Sequence, residues 1–443
     1  MACTLSSAQE QLNRIDVAVT DRKGQPVTGL QSSDFRIQED GKPRNIVFFR
    51  FAGDQPAPAK PTAAGEYSNR GGAVPHATVI LLDLLNEQEQ MTGPVISDQL
   101  TRAFKNIEST DDLYLYFLTT KGEVSPVHAL PKPGAALQPA GEPWSRNLAP
   151  LLDTALKTVT AFRPQDNLDA KARIEMTTHA IRDLGTQMQV IPGRKNLVWM
   201  TRGIPLNGYS IAAGAIVDFS TSIRVLCELL QRVEIAVYPV GAPLDSESNL
   251  ALNEIAGLTG GRKYAFGGVG DAVRDATADS RATYQIAYES LSERMVSKHR
   301  KLHVTCTRKD ARLETVSGLY DLVTLPGRAD LERELVENAA RSPLDSTDIG
   351  LRATASPDPA APRQTLFDVH IDPADLRQGA KVNVIFAPYG PAGLLDERYR
   401  VVVQNGVEAH PSIPLNADVR RMRVIAVDGE LGAVGSVTIP IQR

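Results

Sequence analysis

Two apolar runs of strand length end in groups that can do chemistry. The first reads Ala77-Thr78-Val79-Ile80-Leu81-Leu82-Asp83-Leu84-Leu85-Asn86-Glu87, and the second Asn196-Leu197-Val198-Trp199-Met200-Thr201-Arg202-Gly203. Asp83, Asn86 and Glu87 offer carboxylate and amide oxygens, Thr201 a hydroxyl, and Arg202 a fixed guanidinium. Oxygens of this kind can hold a hard divalent cation. A carboxylate can serve as a general base, and a guanidinium takes a carboxylate in a forked pair. The element that must position them is a parallel sheet, because continuous apolarity is what a strand buried on both faces requires. Ligands of such sheets bind at the carboxyl ends of the strands. The sequence therefore predicts one rim carrying Asp83, Asn86, Glu87, Thr201 and Arg202.

Recognised catalytic spacings are missing. There is no Gly-x-Ser-x-Gly elbow, no His-Glu-x-x-His, no phosphate loop of the Walker type and no Cys-x-x-Cys pair. Gly267-Gly268-Val269-Gly270 before Asp271 reads as a helix start, since the phosphate-loop spacing and its acidic partner are both lacking. Cys3, Cys227 and Cys306 have no metal-like spacing; the latter two read as small buried hydrophobes and Cys3 as a free terminal thiol. His179 has no second ligand at a suitable spacing, Tyr114 and Tyr116 share the core face of a strand, and Trp144 suggests no enzymatic role. Lys298-His299-Arg300-Lys301 falls at an expected hairpin turn and reads as solvated.

Around the two runs, strands at 77–85, 112–119, 196–201, 233–240 and 262–266 alternate with helices at 93–107, 148–162, 169–188, 221–231, 248–258 and 271–283. Such alternation predicts a parallel sheet with helices on both faces over 77–283, with a Pro-rich insertion at 122–166. Residues 12–50 alternate with period two (Ile15, Val17, Val19), and the period returns at Tyr284, Ile286 and Tyr288 and continues to 325. Three strands do not easily bury a face alone, so 12–50 and 284–325 are expected to pair as one discontinuous β-sandwich with the α/β unit inserted in it. Residues 51–76 read as a linker rich in Pro, Ala and Gly, 326–344 as a helical linker, and 345–443 as a second β-sandwich.

Composition limits the partners. The chain has 443 residues, 42% hydrophobic and 23% charged, with a formal net charge of −4, a length that suggests about three domains. This charge balance argues against nucleic acid and against a polybasic membrane anchor, and no apolar stretch reaches bilayer length. Met1-Ala2-Cys3-Thr4-Leu5 carries no signal-peptide apolar region, which a trimmed chain would also show.

Several segments resemble the von Willebrand factor type A (vWA) fold, and more closely a bacterial branch, the acidobacterial VWFA-related family. They are Val17-Ala18-Val19-Thr20-Asp21-Arg22-Lys23-Gly24, Asp34-Phe35, Glu39-Asp40-Gly41-Lys42, Leu81-Leu82-Asp83, Ile191-Pro192-Gly193-Arg194-Lys195-Asn196-Leu197-Val198-Trp199, Tyr284-Gln285-Ile286-Ala287-Tyr288 and Val434-Gly435-Ser436-Val437. The resemblance covers nearly the whole chain in order. It implies a Rossmann-type central domain, an adhesion or protein-interaction role, and often a metal ion at the strand edge. In that pattern the first strand ends Asp-x-Ser-x-Ser, a second loop gives Thr and a third gives Asp. Asp83 matches the first aspartate, Leu85 and Glu87 occupy the serine positions, Thr177 or Thr178 matches the threonine, and Arg202 stands in place of the last aspartate.

Leu85 cannot ligate, and Arg202 adds a fixed positive charge. No metal is expected; if one is held, Asp83, Glu87 and Thr178 would bind Mg²⁺ or Ca²⁺. Arg202 either replaces the cation by pairing with Asp83 or Glu87, or faces water. The resulting expectation is a non-enzymatic module that binds a protein partner at Asp83, Asn86, Glu87, Thr177, Thr178, Thr201 and Arg202, secreted or in the cell envelope, with the cytoplasm as the alternative location. The rival readings are a hydrolase with Asp83 or Glu87 as general base, and an envelope scaffold whose α/β unit only spaces two sandwiches.

Overall fold

Four runs lack a polar face: Ala77–Asp83, Leu113–Leu118, Lys195–Met200 and Ile235–Val240 are buried at every position. In the computed structural model they lie parallel in the order 235–240, 195–200, 77–83, 113–118, and Val124–His128 closes the edge antiparallel. The structure describes residues 11–53, 65–71, 76–86, 98, 100–102, 112–134, 148–160, 170–211, 213–243, 245–290, 299–322, 327–404 and 407–441. Side chains of a strand alternate between faces. Val79, Leu81, Leu197 and Trp199 enter one apolar layer with Ala170–Met188, Ser220–Arg232 and Ser246–Thr259. Ile80, Leu82, Val198 and Met200 enter the other, with Leu148–Thr160 and Val269–Arg281. Each fully buried aliphatic side chain contributes roughly 1.5–3 kcal/mol, so these two layers, and not the rim, hold the sheet.

Local signals set the element ends. Asp245 accepts a hydrogen bond from Ser248 N at 2.7 Å, capping helix 246–259, and Gly260 ends it in the left-handed region at φ 75. The pattern at 262–266 does not become a strand: only Tyr264 pairs, in one parallel bridge with Val240. Gly260 before it and Gly267 after it both have positive φ and turn the chain off the sheet edge. Within the 122–166 insertion, Val124–His128 is a strand of the central sheet and 148–160 is helical. Most of the expected helix at 93–107, together with Cys3, Trp144 and Lys298, lies outside the described residues.

Two four-stranded sheets flank this unit. One has Gln11–Thr20 between Thr283–Ser290 and Arg312–Glu314, with Ile46–Phe51 beyond; the other joins Phe35–Glu39 to Arg300–Cys306. Ile15, Val17, Val19, Phe35, Ile37, Tyr284, Ile286 and Leu302 share one apolar cluster. Arg300 is not solvated as expected: it lies in a strand, ion-paired to Glu39 and, at 3.1 Å, to Asp321, while His299 stacks on Tyr320. Farther along, Leu351–Pro357 and Gln364–Ile371 form one sheet, and Lys381–Gly390, Arg421–Asp428 and Ala433–Pro440 another. Two segments read as linkers take part in this region. Tyr67–Ser68 pairs with strand 351–357, and helix Arg328–Arg341 packs Ala339 and Ala340 against Ile385, Ile425 and Val427. The whole is a mixed α/β protein, and among the described residues no helix is long and apolar enough to cross a membrane.

The units meet at the amino end of the central sheet. Arg14 ion-pairs with Glu234 and, at 3.3 Å, with Asp348, and donates to the carbonyls of Leu431 and Gly432. Arg50 reaches Asp348 at 2.9 Å. Cavities of about 350 and 240 Å³ lie on either side of Arg14, Gln231 and Glu234.

Candidate functional site

The register of the central strands brings the expected rim together. Leu81 lies opposite Trp199 and Leu82 opposite Met200, so Asp83, Trp199 and Thr201 share one face at the carboxyl edge. Asp83 is wholly buried. Its Oδ1 accepts from the backbone N of Leu85 (3.1 Å) and Asn86 (3.0 Å). Its Oδ2 accepts from Asn86 Nδ2 (2.8 Å), Trp199 Nε1 (3.1 Å) and Thr201 Oγ1 (2.8 Å). Asn86 Nδ2 also donates to Thr177 Oγ1 at 2.9 Å, and Thr177 Oγ1 donates to the Arg173 carbonyl at 2.7 Å. Gly203, at φ 92, turns the chain so that its own N donates to Thr201 Oγ1 at 2.9 Å. A Cβ there would meet Ser248 and Leu252 at 3.0–3.3 Å.

This arrangement bears on how the residues in view could receive a cation. A carboxylate has about four lone-pair sites, and five protein donors converge on those of Asp83. Burial pushes the Asp83 carboxyl above the usual carboxylate range, and the hydrogen bonds from Asn86, Thr201 and Trp199 pull it back. Thr178 Oγ1 donates to the Ile174 and Glu175 carbonyls of its own helix, and Leu85 has no donor atom to offer. The described residues therefore do not fit a divalent cation. No group of three or more His, Cys, Asp or Glu side chains among them could hold a metal. Glu87 lies outside the described residues.

Burial also changes what the rim residues can touch. Asp83, Asn86, Thr177 and Thr201 are at most 2% exposed, so their side chains cannot meet a partner directly, and they serve to fix the loops around them. Arg202 does not pair with Asp83, whose oxygens are taken by other donors. It is half-buried, its Nε has no partner, and it forms no ion pair among the described residues. Arg173, which the sequence reading passed over, is in the same state. Ala170, Arg173 and Thr177 lie on one face of helix 170–188, at the i, i+3, i+7 spacing.

Beyond Gly203 the chain forms a hairpin that sequence reasoning missed, Asn207–Ser210 with Ala215–Asp218, paired to each other and to no third strand among the described residues. Its inner side rests on helix 170–188, where a Cβ on Gly208 would stand 2.5 Å from Ala170 Cβ. Ser210 is buried on the same side. On the outer side Tyr209 lies opposite Ile216, which is 76% exposed. Asn207 Nδ2 reaches Glu247 Oε2 at 3.1 Å, tying the hairpin to the start of helix 246–259. Among the described residues, the large exposed hydrophobics are Tyr209, Ile211, Ile216, Leu250, Phe266 and Val402. All but Val402 lie at this carboxyl edge, since Leu250 is in the first turns of helix 246–259 and Phe266 follows the Tyr264 bridge. One signal could have revealed the hairpin: residues 207–218 contain a single charged residue, Asp218.

Other candidates resolve simply. Cys227 is buried, which pushes its thiol up and makes it inert. His179 is exposed and lies 3.1 Å from Asp183 one turn away. Tyr116 is core, its hydroxyl accepting from Leu130 N at 2.8 Å. Both cavities lie at the end of the sheet opposite Asp83, lined by residues such as Ile191, Lys195, Glu234 and Ile235 that open the central strands.

No family model matches the chain, and no curated protein matches it. Among solved structures, the human COPII-coat protein Sec24c is similar at 12% identity, covering 60% of this chain and 48% of that one, with a TM-score of 0.28. Proximal thread matrix protein 1 from the mussel byssus is similar at 8% identity, covering 48% of each chain, with a TM-score of 0.26. This chain thus spans about half the length of either, and likenesses at this level carry no argument about its fold or its work.

Proposed function

We propose that this protein is a non-enzymatic interaction module whose central unit is vWA-like, set between sandwich-type sheets, with a metal position that has been converted into an internal hydrogen-bond cluster. The docking surface is the carboxyl edge: the outer face of hairpin 207–218 together with Leu250 and Phe266. One observation carries this reading, the gathering there of every large exposed hydrophobic of the described residues except Val402. Scattered apolar residues on a surface are ordinary, whereas a group at one edge marks an interaction site. The hydrolase alternative calls for a pocket at the rim with a nucleophile and base in reach; Asp83 is instead enclosed by five donors, and the two cavities described above are at the far end of the sheet. A scaffold that only spaces its neighbours gives no reason for an apolar hairpin at the edge.

The test is site-specific photo-crosslinking in the native cell. A photoreactive residue at Ile216 is expected to give a discrete crosslinked protein, and one at Val402, also exposed but remote, is expected to give none. Equal labelling from both positions, or no product from Ile216, contradicts the reading.

A further inference from the structure

The rim carries two guanidiniums with no carboxylate of their own among the described residues. Ion pairs are abundant elsewhere in the fold, and charged neighbours of the rim have partners: Lys171 with Glu175, His179 with Asp183, Arg224 with Glu254, and Glu247 with Asn207. Arg173 and Arg202 are half-buried, form no ion pair among the described residues, and each keeps a buried Nε without a hydrogen bond. Their positions are linked through the Asp83 cluster. Arg202 follows Thr201, which donates to Asp83 Oδ2, and Arg173 lies one turn before Thr177, which accepts from Asn86. On the other side of Arg173, one turn back, Ala170 supports the hairpin at Gly208. The nearby carboxylate of Asp83 cannot serve either arginine, because its oxygens are taken by other donors.

We infer that the partner docks as an extended apolar segment bearing a side-chain carboxylate, with its apolar residues on Tyr209 and Ile216 and the carboxylate between Arg173 and Arg202. Two features fix that chemistry. A half-buried guanidinium with no ion pair among the described residues keeps its terminal N–H fork open to a ligand, and a carboxylate matches that fork. The hairpin is a two-stranded sheet with no third strand among the described residues and only one charged side chain, so it suits an extended uncharged backbone more than a charged helix. No metal takes part. The inference rests on the rim being the docking surface, and adds what the partner must present.

The experiment is a selection of random ten-residue peptides, displayed with both ends blocked, in buffer containing EDTA. The targets are the wild type, Arg173→Gln/Arg202→Gln and Tyr209→Ser/Ile216→Ser, each matched to the wild type by its thermal unfolding. Enriched peptides are expected to hold Asp or Glu flanked by Val, Ile, Leu or aromatic residues, and to need both pairs of side chains. For a synthetic enriched peptide, acid→amide substitution is expected to weaken wild-type binding about tenfold or more, and binding to the arginine double variant by less than about twofold. Because that comparison changes the peptide, it stands even if one protein variant folds poorly. Enrichment that depends on Tyr209 and Ile216 but ignores the acid or the arginines overturns the carboxylate seat and leaves the rim reading intact. Enrichment indifferent to Tyr209 and Ile216 overturns the rim reading, and no enrichment over an unrelated protein overturns both.

Discussion

Asp83 is held by what surrounds it. A buried carboxylate is costly unless its lone pairs are met, and here two backbone amides, an amide side chain, an indole and a hydroxyl meet them. Asp83→Asn keeps the shape but sets an NH₂ group against several of those donors. The expected result is a loss of about 2–3 kcal/mol in urea unfolding at pH 7; a loss below about 0.5 kcal/mol would mean the cluster contributes little. The position of Asp83 at a strand end is legible in the sequence, because the six preceding residues, Ala77 to Leu82, hold no charged group to break the run. The identity of its donors is not. Trp199 lies more than a hundred residues away, and only the strand register, which apolar runs do not encode, puts its indole beside Asp83.

Hairpin 207–218 joins the apolar layers only through half-buried Val217, so its seat depends on a few contacts, chiefly Val217 against that layer, Gly208 against Ala170 and Asn207 with Glu247. Gly208→Val places a branched side chain where 2.5 Å separates a Cβ from Ala170. Limited proteolysis within 207–218 is expected to quicken about tenfold, while the global unfolding free energy changes by less than about 1 kcal/mol. A cleavage rate equal to the wild type's would show that the hairpin is held by something else. The strands of the central sheet announce themselves by lacking any polar face, whereas this hairpin is short, half-exposed and rich in Ala and Gly. Its alternation, buried Ser210 between Tyr209 and Ile211, is too brief to separate from a loop. Tyr67–Ser68 escaped for the same reason, two residues within a stretch that composition marks as a linker.

Across the whole molecule, the units are joined by charge at the end of the sheet far from the rim. Period-two patterns predict strands at 15–20 and 284–288, but not that Arg14, in the first of these strands, reaches Glu234 in a tight turn and Asp348 near the C-terminal sheets. Asp16 lies in this junction with its Oδ1 buried and unpartnered. Its carboxyl is pushed up to about 6, by burial first, with Glu234 and Asp348 adding to the rise and Arg14 and Arg194 opposing it. An acid whose folded pKa is raised favours the fold while protonated, and that contribution fades as pH climbs from the ordinary carboxylate range through about 6. Asp16→Asn should therefore stabilise the protein at pH 7.5 by on the order of 1 kcal/mol and give no gain at pH 4. Unfolding of both proteins at the two pH values checks this, and a variant destabilised at pH 7.5 would show that Asp16 is held there as a needed charge.

The account turns on a rim that works without metal because the protein itself binds the Asp83 carboxylate. The direct measurement is thermal unfolding of EDTA-stripped protein with Mg²⁺, Mn²⁺ or Ca²⁺ added in turn, since a ligand that binds only the folded state must raise its stability. The midpoint is predicted to stay where it is with each ion. An upward shift that grows with ion concentration and disappears in Asp83→Asn would contradict the account and make the rim a cation site.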